Sequence, residues 1–462
     1  MKKFLDDNFF LSNKTAEHLY HEVARDLRVV DYHNHLNPVH LAENRHFENL
    51  ASLWINEDPY KHRAMRIHGI AEEGITGAAP DEAKYANWVS TFPKTIGNPL
   101  FHWSCLELKR MFGIDAVLCD KNAADIWNTC NGMLQQEGFG ALDMLRKWNT
   151  EIVCTSDDLT GNLQPHQTVA HGGSGIQVLP SLRGDSILAF DASFPEWMEK
   201  LSGSSAICTL DEFKEAIIRK LDHFAAAGCR LADHSLDAGF VCSLPSEAAA
   251  IELFAGLRKG APGDGRVQLR SHMLVFLGAE YRKRGWTLQL HIGAQRTTSS
   301  RLRRLAGPAG GYATIGNGCD IASLCLLLDT LEQKGGLPRT ILYTLNPADY
   351  AAFATLTGSY AQDGKAGLIQ FGPAWWYNDH YEGIRQHLIT LSGYGLLSHF
   401  IGMTTDSRSI LSFSRHEYFR RILCNQVGIW AEAGELPDDG DVLSQLVRDI
   451  CYNNSKQFIF NS

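Results

Sequence analysis

The chain has 462 residues, with 52 acidic and 43 basic side chains and a net charge of −9. This balance argues against nucleic acid or an anionic membrane as a general partner, because both favour a basic protein face. The 44% hydrophobic content and the 10 tryptophans exclude a chain that is disordered throughout.

The sequence carries no marks of export or membrane insertion. Its first ten residues lack the apolar core and cleavage site of a signal peptide, and no run of about 18 apolar residues follows. The 11 cysteines are scattered and contain no Cys-x-x-Cys pair, which is typical of reduced thiols. We therefore expect a cytoplasmic protein that binds neither membrane nor nucleic acid.

Eight short apolar runs, each bounded by glycine or charged residues, are predicted to be strands buried on both faces. In chain order they span 28–33, 151–155, 175–180, 229–233, 286–291, 340–345, 367–371 and 399–404. Helical spacing of apolar residues occurs between them, as in 211–227 and 271–284. Eight repeats of strand and helix predict an α/β fold, a closed (β/α)8 TIM-type barrel, with an open doubly wound sheet as the alternative.

About 115 residues separate the first predicted strand from the second, more than one crossover helix needs. Helical patterns at 82–90 and 122–136 indicate a helical insertion over the barrel mouth. The predicted organisation is an N-terminal segment with the first strand (1–35), the insertion (36–150) and the rest of the barrel (151–462).

Two histidines end the first predicted strand. His33 and His35 are two residues apart, so they face the same side of a strand and can reach one metal ion. Chance alone yields about one such pair in a chain with 19 histidines, so a pair of hydrogen-bonded loop histidines is the alternative. The position at the carboxyl end of a strand favours a metal site, because barrel active sites lie there.

Asp406 follows the eighth predicted strand, which lies beside the first in a closed barrel. A carboxylate there faces the two histidines, and burial is costly unless it is paired or metal-bound. The alternative is a helix cap near Ile410. After the fifth strand, His291 is either a further ligand, a hydrogen-bond donor to substrate or a core histidine. After the fourth, Asp233 is a substrate contact or part of a capped turn.

Arginines follow three predicted strands at the same edge: Arg183, Arg296 and Arg408. Guanidinium groups bind carboxylates through two parallel hydrogen bonds, so their convergence predicts a small anionic ligand. Within the insertion, Tyr60 is a candidate general acid or base, with an ordinary half-buried tyrosine as the alternative. The sequence has no P-loop, no Gly-x-Ser-x-Gly and no His-Glu-x-x-His motif.

Several blocks in order resemble the uronate isomerases, a branch of the amidohydrolase superfamily, over essentially the whole chain. They are Asp-Tyr-His-Asn-His-Leu at 31–36, Tyr-Lys-His-Arg-Ala-Met-Arg at 60–66, and further blocks at 95–103, 221–228, 274–281, 405–409 and 415–424. The resemblance implies interconversion of glucuronate with fructuronate and of galacturonate with tagaturonate. It also implies one divalent metal ion, with zinc as the expected occupant.

The resemblance matches His33, His35 and Asp406 to metal positions. It matches Tyr60, Arg183, Asp233, His291, Arg296 and Arg408 to active-site positions. The chain departs from the family at the rim, with Asn34 in place of Cys, Gly184 in place of Pro, Thr-Thr-Ser at 297–299, Ala348 in place of Arg, and Pro-Ala at 373–374. These changes bear on which uronate is preferred.

The predicted reaction moves a proton from C2 to C1 of the sugar acid, with Tyr60 and Asp406 as candidates for proton transfer and a metal that polarises the oxygens. A hydride shift is the other route. The alternative function is a metal-dependent hydrolase of the amidohydrolase type, and a non-catalytic sugar-acid-binding protein is a third. We also expect a homo-oligomer.

Overall fold

The computed structural model describes residues 3–203, 207–258 and 265–460. Its strands are β1 Val29–Asn34, β2 Thr150–Asp158, β3 Gln177–Arg183, β4 Leu231–Leu236, β5 Thr287–Ile292, β6 Ala294–Gln295, β7 Thr314–Ile315, β8 Thr340–Thr344 and β9 Ile369–Phe371. Seven of these described strands form one parallel sheet in the order β1-β2-β3-β4-β5-β8-β9, while β6 and β7 pair antiparallel.

The helices lie mainly between the strands of the parallel sheet. Before β2 they are α1 Lys14–His18, α2 Pro38–Ala42, α3 Leu50–Trp54, α4 Pro59–Ile67, α5 Asp81–Thr91, α6 Pro99–Phe112, α7 Ala123–Leu134 and α8 Ala141–Lys147. From β2 to β8 they are α9 Gln164–His171, α10 Phe194–Ser202, α11 Leu210–Ala226, α12 Glu247–Arg258, α13 Arg266–Lys283, α14 Ser300–Ala306 and α15 Ile321–Gln333. After β8 come α16 Tyr350–Ser359, α17 Tyr381–Tyr394, α18 Ser414–Glu432, α19 Gly440–Arg448 and α20 Asn454–Phe460.

Short turns of other helical types complete the described secondary structure. The 3₁₀ turns are Glu72–Gly74, Phe92–Thr95, Asp185–Leu188, Pro347–Asp349, Leu397–His399 and Ile410–Phe413, and the π-helical turns are Leu19–Ala24 and Asp449–Asn453. Among the described residues, no helix combines the length and the apolar content that crossing a bilayer requires.

The first seven predicted runs each overlap a strand of the parallel sheet. Strands β1, β5 and β8 are buried along their whole length, because helices cover one face and the interior side chains cover the other. The prediction of a parallel α/β sheet is confirmed. The sheet is curved so that β1 and β9 are its two edges.

The eighth predicted run, 399–404, is not a regular strand in the structure. Its continuation nevertheless lies along β1, since the Asp406 amide donates to the His33 carbonyl (3.0 Å) and the His35 amide to the Ser407 carbonyl (2.8 Å). Side chains take the other ladder positions: the His33 amide donates to Thr404 Oγ1 and the Thr405 amide to the Asp31 carboxylate. A regular ladder is therefore interrupted, although the segment occupies the predicted place beside β1.

Asp31 fastens this edge of the sheet. Its buried carboxylate accepts hydrogen bonds from the Thr405 amide (2.9 Å) and from Asn34 Nδ2 (2.8 Å), and it lies 2.8 Å from His416 Nε2 on α18. A buried carboxylate is stable only when its oxygens are satisfied in this way. Asp31 thus ties together β1, the segment 402–407 and α18.

The chain between β1 and β2 contains helices α2 to α8. The two helical patterns noted in the sequence correspond to α5 and α7. Asparagine and aspartate side chains cap several of these helices, because they accept hydrogen bonds from the first unpaired amides. Asp58 caps α4 by accepting from the amides of Tyr60 and Lys61, and Pro59 occupies the first helical position, where it is favoured. This cap fixes Tyr60 in the first turn of α4.

Candidate active site

One cavity of about 700 Å³ opens at the carboxyl ends of the parallel strands. The structure brings all nine predicted site residues to its wall: His33, His35, Tyr60, Arg183, Asp233, His291, Arg296, Asp406 and Arg408. They come from different strands and the loops after them, from α4 and from the segment beside β1, so they are remote in sequence. The volume lies within the usual range of small-molecule sites, about 300–1,000 Å³.

Two imidazoles and one carboxylate form a cluster in this cavity. His35 Nε2 lies 2.9 Å and His33 Nε2 3.4 Å from Asp406 Oδ1. The other carboxylate oxygen, Oδ2, accepts a 2.6 Å hydrogen bond from Trp375 Nε1. Asp406 therefore does not cap the helix that follows, and the cap alternative is wrong.

Asp406 has a left-handed backbone, with φ of 47°. Aspartate and asparagine tolerate this region better than most residues. Burial opposes ionisation, yet hydrogen bonds from His33 and His35 hold the pKa of the Asp406 carboxyl well below its usual range. The carboxylate is thus ionised at neutral pH and faces the two imidazoles.

A second group shares His33 with the first. One ligand atom each from His33, Asp233 and His291 lies within 4.8 Å of the others, and the rings of His33 and His291 are 4.7 Å apart. Burial lowers the pKa of His291 well below its usual value, which keeps the imidazole neutral, and it raises the pKa of Asp233 to about 6. His291 stacks on Tyr343 at 4.4 Å.

The cluster fits a divalent cation. Within the described part of the chain, the buried nitrogens His33 Nδ1 and His291 Nε2 have no hydrogen-bond partner, although an unsatisfied buried polar atom costs about 1–3 kcal/mol. Neutral imidazoles with one or two carboxylates are a donor set that zinc and similar ions accept. For His33, burial lowers the pKa, but Asp406 and Asp233 raise it overall, which marks the place where positive charge is stabilised.

The three predicted arginines converge on the cavity wall but are held differently. Arg183 Nε donates to Asp185 Oδ2 at 3.1 Å. Arg296 donates from Nε to Asp237 Oδ1 (2.7 Å) and from Nη2 to Ser235 Oγ (3.0 Å), and its guanidinium lies 4.9 Å from the Trp376 ring. These partners orient two of the guanidinium groups, and both arginines line the cavity.

Arg408 lies on the same wall, close to the metal cluster in sequence and in space. Burial lowers the pKa of its guanidinium, with the nearby charge of Arg183 acting in the same direction. Two neighbouring arginines in a buried setting stabilise an anion between them.

Tyr60 reaches the cavity from the first turn of α4. Its hydroxyl donates to the carboxylate of Asp379, with distances of 2.9 and 3.1 Å to the two oxygens, and Arg415 Nη1 donates to the same carboxylate at 2.9 Å. The Tyr60 ring packs edge-on against Trp103 and Tyr377. Its half-burial agrees with the ordinary-tyrosine alternative, but its place in the cavity wall does not.

Sequence reasoning missed three charged residues of this region: Asp185, Asp379 and Arg415. Asp185 holds Arg183 and also accepts from the Ser235 amide (2.7 Å), so it links the rims of β3 and β4. Two of them could have been found from their position in the sequence, since Asp185 comes just after β3 and Asp379 comes after β9 and the Trp375-Trp376 pair. Arg415 lies in α18, where only the tertiary structure turns it toward Tyr60.

Two of the family departures, Asn34 and Gly184, do not line the cavity. Asn34 turns away from the two histidines, donating to Asp31 and accepting from the Leu36 amide. A Cβ at Gly184 would lie 2.1 Å from His234 Cε1, so the glycine accommodates that ring. His234 turns outward, with Nε2 2.9 Å from the Tyr281 hydroxyl, and Asp233 alone of this pair lines the cavity.

Comparison with known proteins agrees with this geometry. A family model described as glucuronate isomerase matches residues 1–459. A uronate isomerase from Bacillus licheniformis is 45% identical over 99% of this chain and 98% of its own length, and one from Haemophilus influenzae is 43% identical over 99% and 100%. The crystal structure of a uronate isomerase from Thermotoga maritima superposes with a TM-score of 0.93 at 30% identity, covering 99% of this chain and all of that one. The chain belongs to the uronate isomerase family.

Proposed function

We propose that this protein is an aldose–ketose isomerase that interconverts D-glucuronate with D-fructuronate and D-galacturonate with D-tagaturonate, using one zinc ion. Its membership of the uronate isomerase family supports the reaction class. The observation that carries the proposal is the meeting of His33, His35 and Asp406 at a cavity whose wall also bears three arginines.

The arginines are assigned to substrate binding. A uronate carries one carboxylate, and the charge of Arg183 acts on the guanidinium of Arg408, where it contributes to the lowering of the Arg408 pKa. Two forks hold a carboxylate in one orientation, which presents C1 and C2 of the sugar to the other side of the cavity. Arg296, already held by Asp237 and Ser235, is assigned to hydroxyl groups.

His33, His35 and Asp406 are the proposed metal ligands, with His291 and Asp233 as further candidates from the second group. When bound, a divalent ion supplies positive charge that stabilises developing negative charge on the C1 and C2 oxygens. Desolvation favours the neutral, metal-binding form of two of these imidazoles: burial lowers the pKa of His35 to about 4 and that of His291 well below its usual value.

Proton transfer between C2 and C1 needs a base that is unprotonated in the resting site. Asp406 is an ionised carboxylate in the cavity wall, whereas the Tyr60 hydroxyl still carries its proton and donates it to Asp379. We therefore assign the carbon-bound proton to Asp406 and the hydroxyl protons of the substrate to Tyr60. A positioned acid or base of this kind contributes about 10²–10⁴-fold.

The rival function is a metal-dependent hydrolase on the same scaffold. Two-metal hydrolases of this kind carry a bridging lysine after the fourth strand, where this chain has Asp233 and His234. His234 faces Tyr281 and not the cavity. The donor set on β4 therefore favours the isomerase.

The finer architecture is proposed as a (β/α)8 barrel closed by the segment 402–407 between β9 and β1. Its hydrogen bonds to His33 and His35 support this closure. Residues 36–150 are proposed as an insertion over the mouth, because α4 brings Tyr60 to the cavity, with 1–35 and 151–462 forming the barrel. A cytoplasmic homo-oligomer remains the proposed state, tested by light scattering and cell fractionation.

The deciding experiment joins metal analysis of the purified protein to turnover assays with glucuronate and galacturonate. We expect about one zinc per chain and formation of the matching keto acid. Release of acid from lactones or amides, with no keto sugar from either uronate, would establish the hydrolase instead. Reaction in D₂O bears on the two isomerisation routes: deuterium at C1 indicates proton transfer, and its absence counts against that route.

A further inference from the structure

The phenol ring of Tyr60 is held in place by contacts with aromatic and charged side chains. Trp103 and Tyr377 contact its ring edge-on, with centroids 5.5 and 6.2 Å away, and the Arg415 guanidinium lies 5.7 Å from the ring. The Asp58 cap fixes the backbone of the same residue. The ring therefore has one orientation, and only the hydroxyl hydrogen is left to rotate.

That hydrogen is directed away from the cavity. Asp379 does not line the main cavity; it lies behind it, in a small adjoining pocket of the described structure. Since the Tyr60 hydroxyl donates to Asp379 at 2.9 Å, the lone pairs of its oxygen are the groups presented to a substrate. Tyr60 enters the reaction as a hydrogen-bond acceptor.

Arg415 keeps Asp379 available as the acceptor. Both side chains are almost fully buried and form a 2.9 Å ion pair. A buried carboxylate without this partner is costly, because desolvation favours its neutral form. The pair therefore supplies a carboxylate that is directed at one phenolic hydrogen.

We propose that Asp379 is the positioning residue of Tyr60 and that its carboxylate temporarily accepts the hydroxyl proton of Tyr60. This inference rests on the proposed isomerase function. When Tyr60 receives a hydrogen from the C2 hydroxyl of the substrate, it passes its own hydrogen to Asp379, and the transfer reverses toward the C1 oxygen.

The steps balance without another reactant. In the aldose-to-ketose direction the O–H bond at C2 breaks while a new O–H bond forms on Tyr60. The former Tyr60 O–H bond breaks, and its hydrogen joins the Asp379 carboxylate. On return, Tyr60 gives a hydrogen to the C1 oxygen and recovers one from Asp379, while the carbon-bound hydrogen moves separately from C2 to C1.

The relay explains how a buried phenol can serve in proton transfer. Burial raises the pKa of Tyr60 well above its ordinary value, and the charge of Asp379 adds to this rise, so a phenolate is strongly disfavoured. In a concerted relay the negative charge passes between the substrate oxygen and Asp379, and Tyr60 remains a phenol throughout.

The test compares Asp379→Asn with Glu417→Gln in the full-length, metal-loaded enzyme. Glu417 is a matched control, because its carboxylate also forms ion pairs, with Arg421 and Arg110 at 2.8 Å. It lies two residues after Arg415 on α18, a rotation of about 200° around the helix axis, and therefore on a different face of the helix. We expect Asp379→Asn to lower kcat about 100-fold with KM changed less than about threefold. Glu417→Gln should alter neither by more than about threefold.

A double-mutant cycle with Tyr60→Phe separates the relay from a merely structural role. If Asp379 acts through Tyr60, then Asp379→Asn lowers kcat much less in the Phe background than in the wild type. An equal fold-loss in both backgrounds, or a kcat within about threefold of wild type for Asp379→Asn, overturns the proposal.

Separate controls distinguish a loss of folding from a loss of function. Thermal unfolding checks each variant, and Arg415→Lys replaces Asp379→Asn if the latter does not fold. Arg415→Lys keeps the positive charge but loses the planar guanidinium group, so we expect kcat to fall about tenfold. A fall in kcat of less than about twofold overturns the proposal. Absence of uronate isomerisation in the wild type refutes the proposed function itself, whereas an active wild type with an active Asp379→Asn refutes only the relay.

Discussion

Replacing Asp406 by asparagine tests the centre of the site most directly. The backbone of Asp406 is left-handed, with φ of 47°, and asparagine tolerates this region about as well as aspartate does. Alanine would add backbone strain of about 1–2 kcal/mol to any functional effect. Asparagine therefore removes the charge and changes little else.

The size of the effect follows from what Asp406 contacts. Its Oδ1 is the atom shared by His33 and His35, and the asparagine carbonyl can still accept the hydrogen of Trp375 Nε1. The change removes one proposed metal ligand and the proposed base for the C2 proton. Loss of a positioned base alone lowers turnover about 10²–10⁴-fold, so we expect kcat to fall at least about 10³-fold, equivalent to about 4 kcal/mol.

The assay measures kcat, KM and bound metal for Asp406→Asn, with thermal unfolding as a check on the fold. Asp158→Asn is the matched control, because the Asp158 carboxylate also accepts an indole N–H, from Trp197 at 3.1 Å, yet does not line the cavity. The control should retain kcat within about threefold. If Asp406→Asn keeps kcat within about tenfold of wild type and binds the same amount of metal, the assignment of this centre is wrong.

Three further predictions concern binding, stability and metal. Arg183→Lys keeps the charge but loses the planar fork, so KM for glucuronate should rise about 10- to 100-fold with a smaller change in kcat; an unchanged KM would contradict a carboxylate contact. Gly402→Ala should lower the free energy of unfolding by at least about 2 kcal/mol more than Gly434→Ala in denaturant titrations, because both glycines have positive φ but only at Gly402 would a Cβ meet a backbone atom, the Ile450 oxygen at 2.1 Å. Equal losses would show that φ alone decides. Chelation followed by dialysis should abolish turnover, and added zinc should restore it; full turnover of a protein shown to be metal-free would refute the metal centre.

Much of the parallel sheet was predictable because a strand that is buried on both faces is encoded by a continuous run of apolar residues. The first seven runs of apolar residues coincide with strands, since parallel strands under helices need apolar side chains on both sides. The eighth run failed as a regular strand for a local reason. Thr404 and Asp31 take the hydrogen bonds that a ladder would use, and the glycine at 402 and Asp406 adopt left-handed backbones.

The nine predicted site residues were found partly by position and partly by family resemblance. Chemistry-bearing residues at the ends of the predicted strands were accessible to reasoning from the sequence, as with His33, Asp233 and His291, because strand ends meet at one rim in a parallel α/β fold. Tyr60 was singled out of the insertion by its polar neighbours and by resemblance. Nothing in the local sequence of α18 distinguishes Arg415 from a surface arginine.

The sequence by itself determined the class of the fold, the residue types at the rim and the kind of ligand, because composition and strand burial are local properties of the chain. Only the tertiary structure decided which groups are partners. Asp406 contacts His33 and His35 through one oxygen, and the Tyr60 hydroxyl donates to Asp379, which pairs in turn with Arg415. The contacts of Asp406 with the histidines and of Tyr60 with Asp379 join residues more than 300 positions apart, and their energies depend on burial and direction, which arise only when the chain has folded.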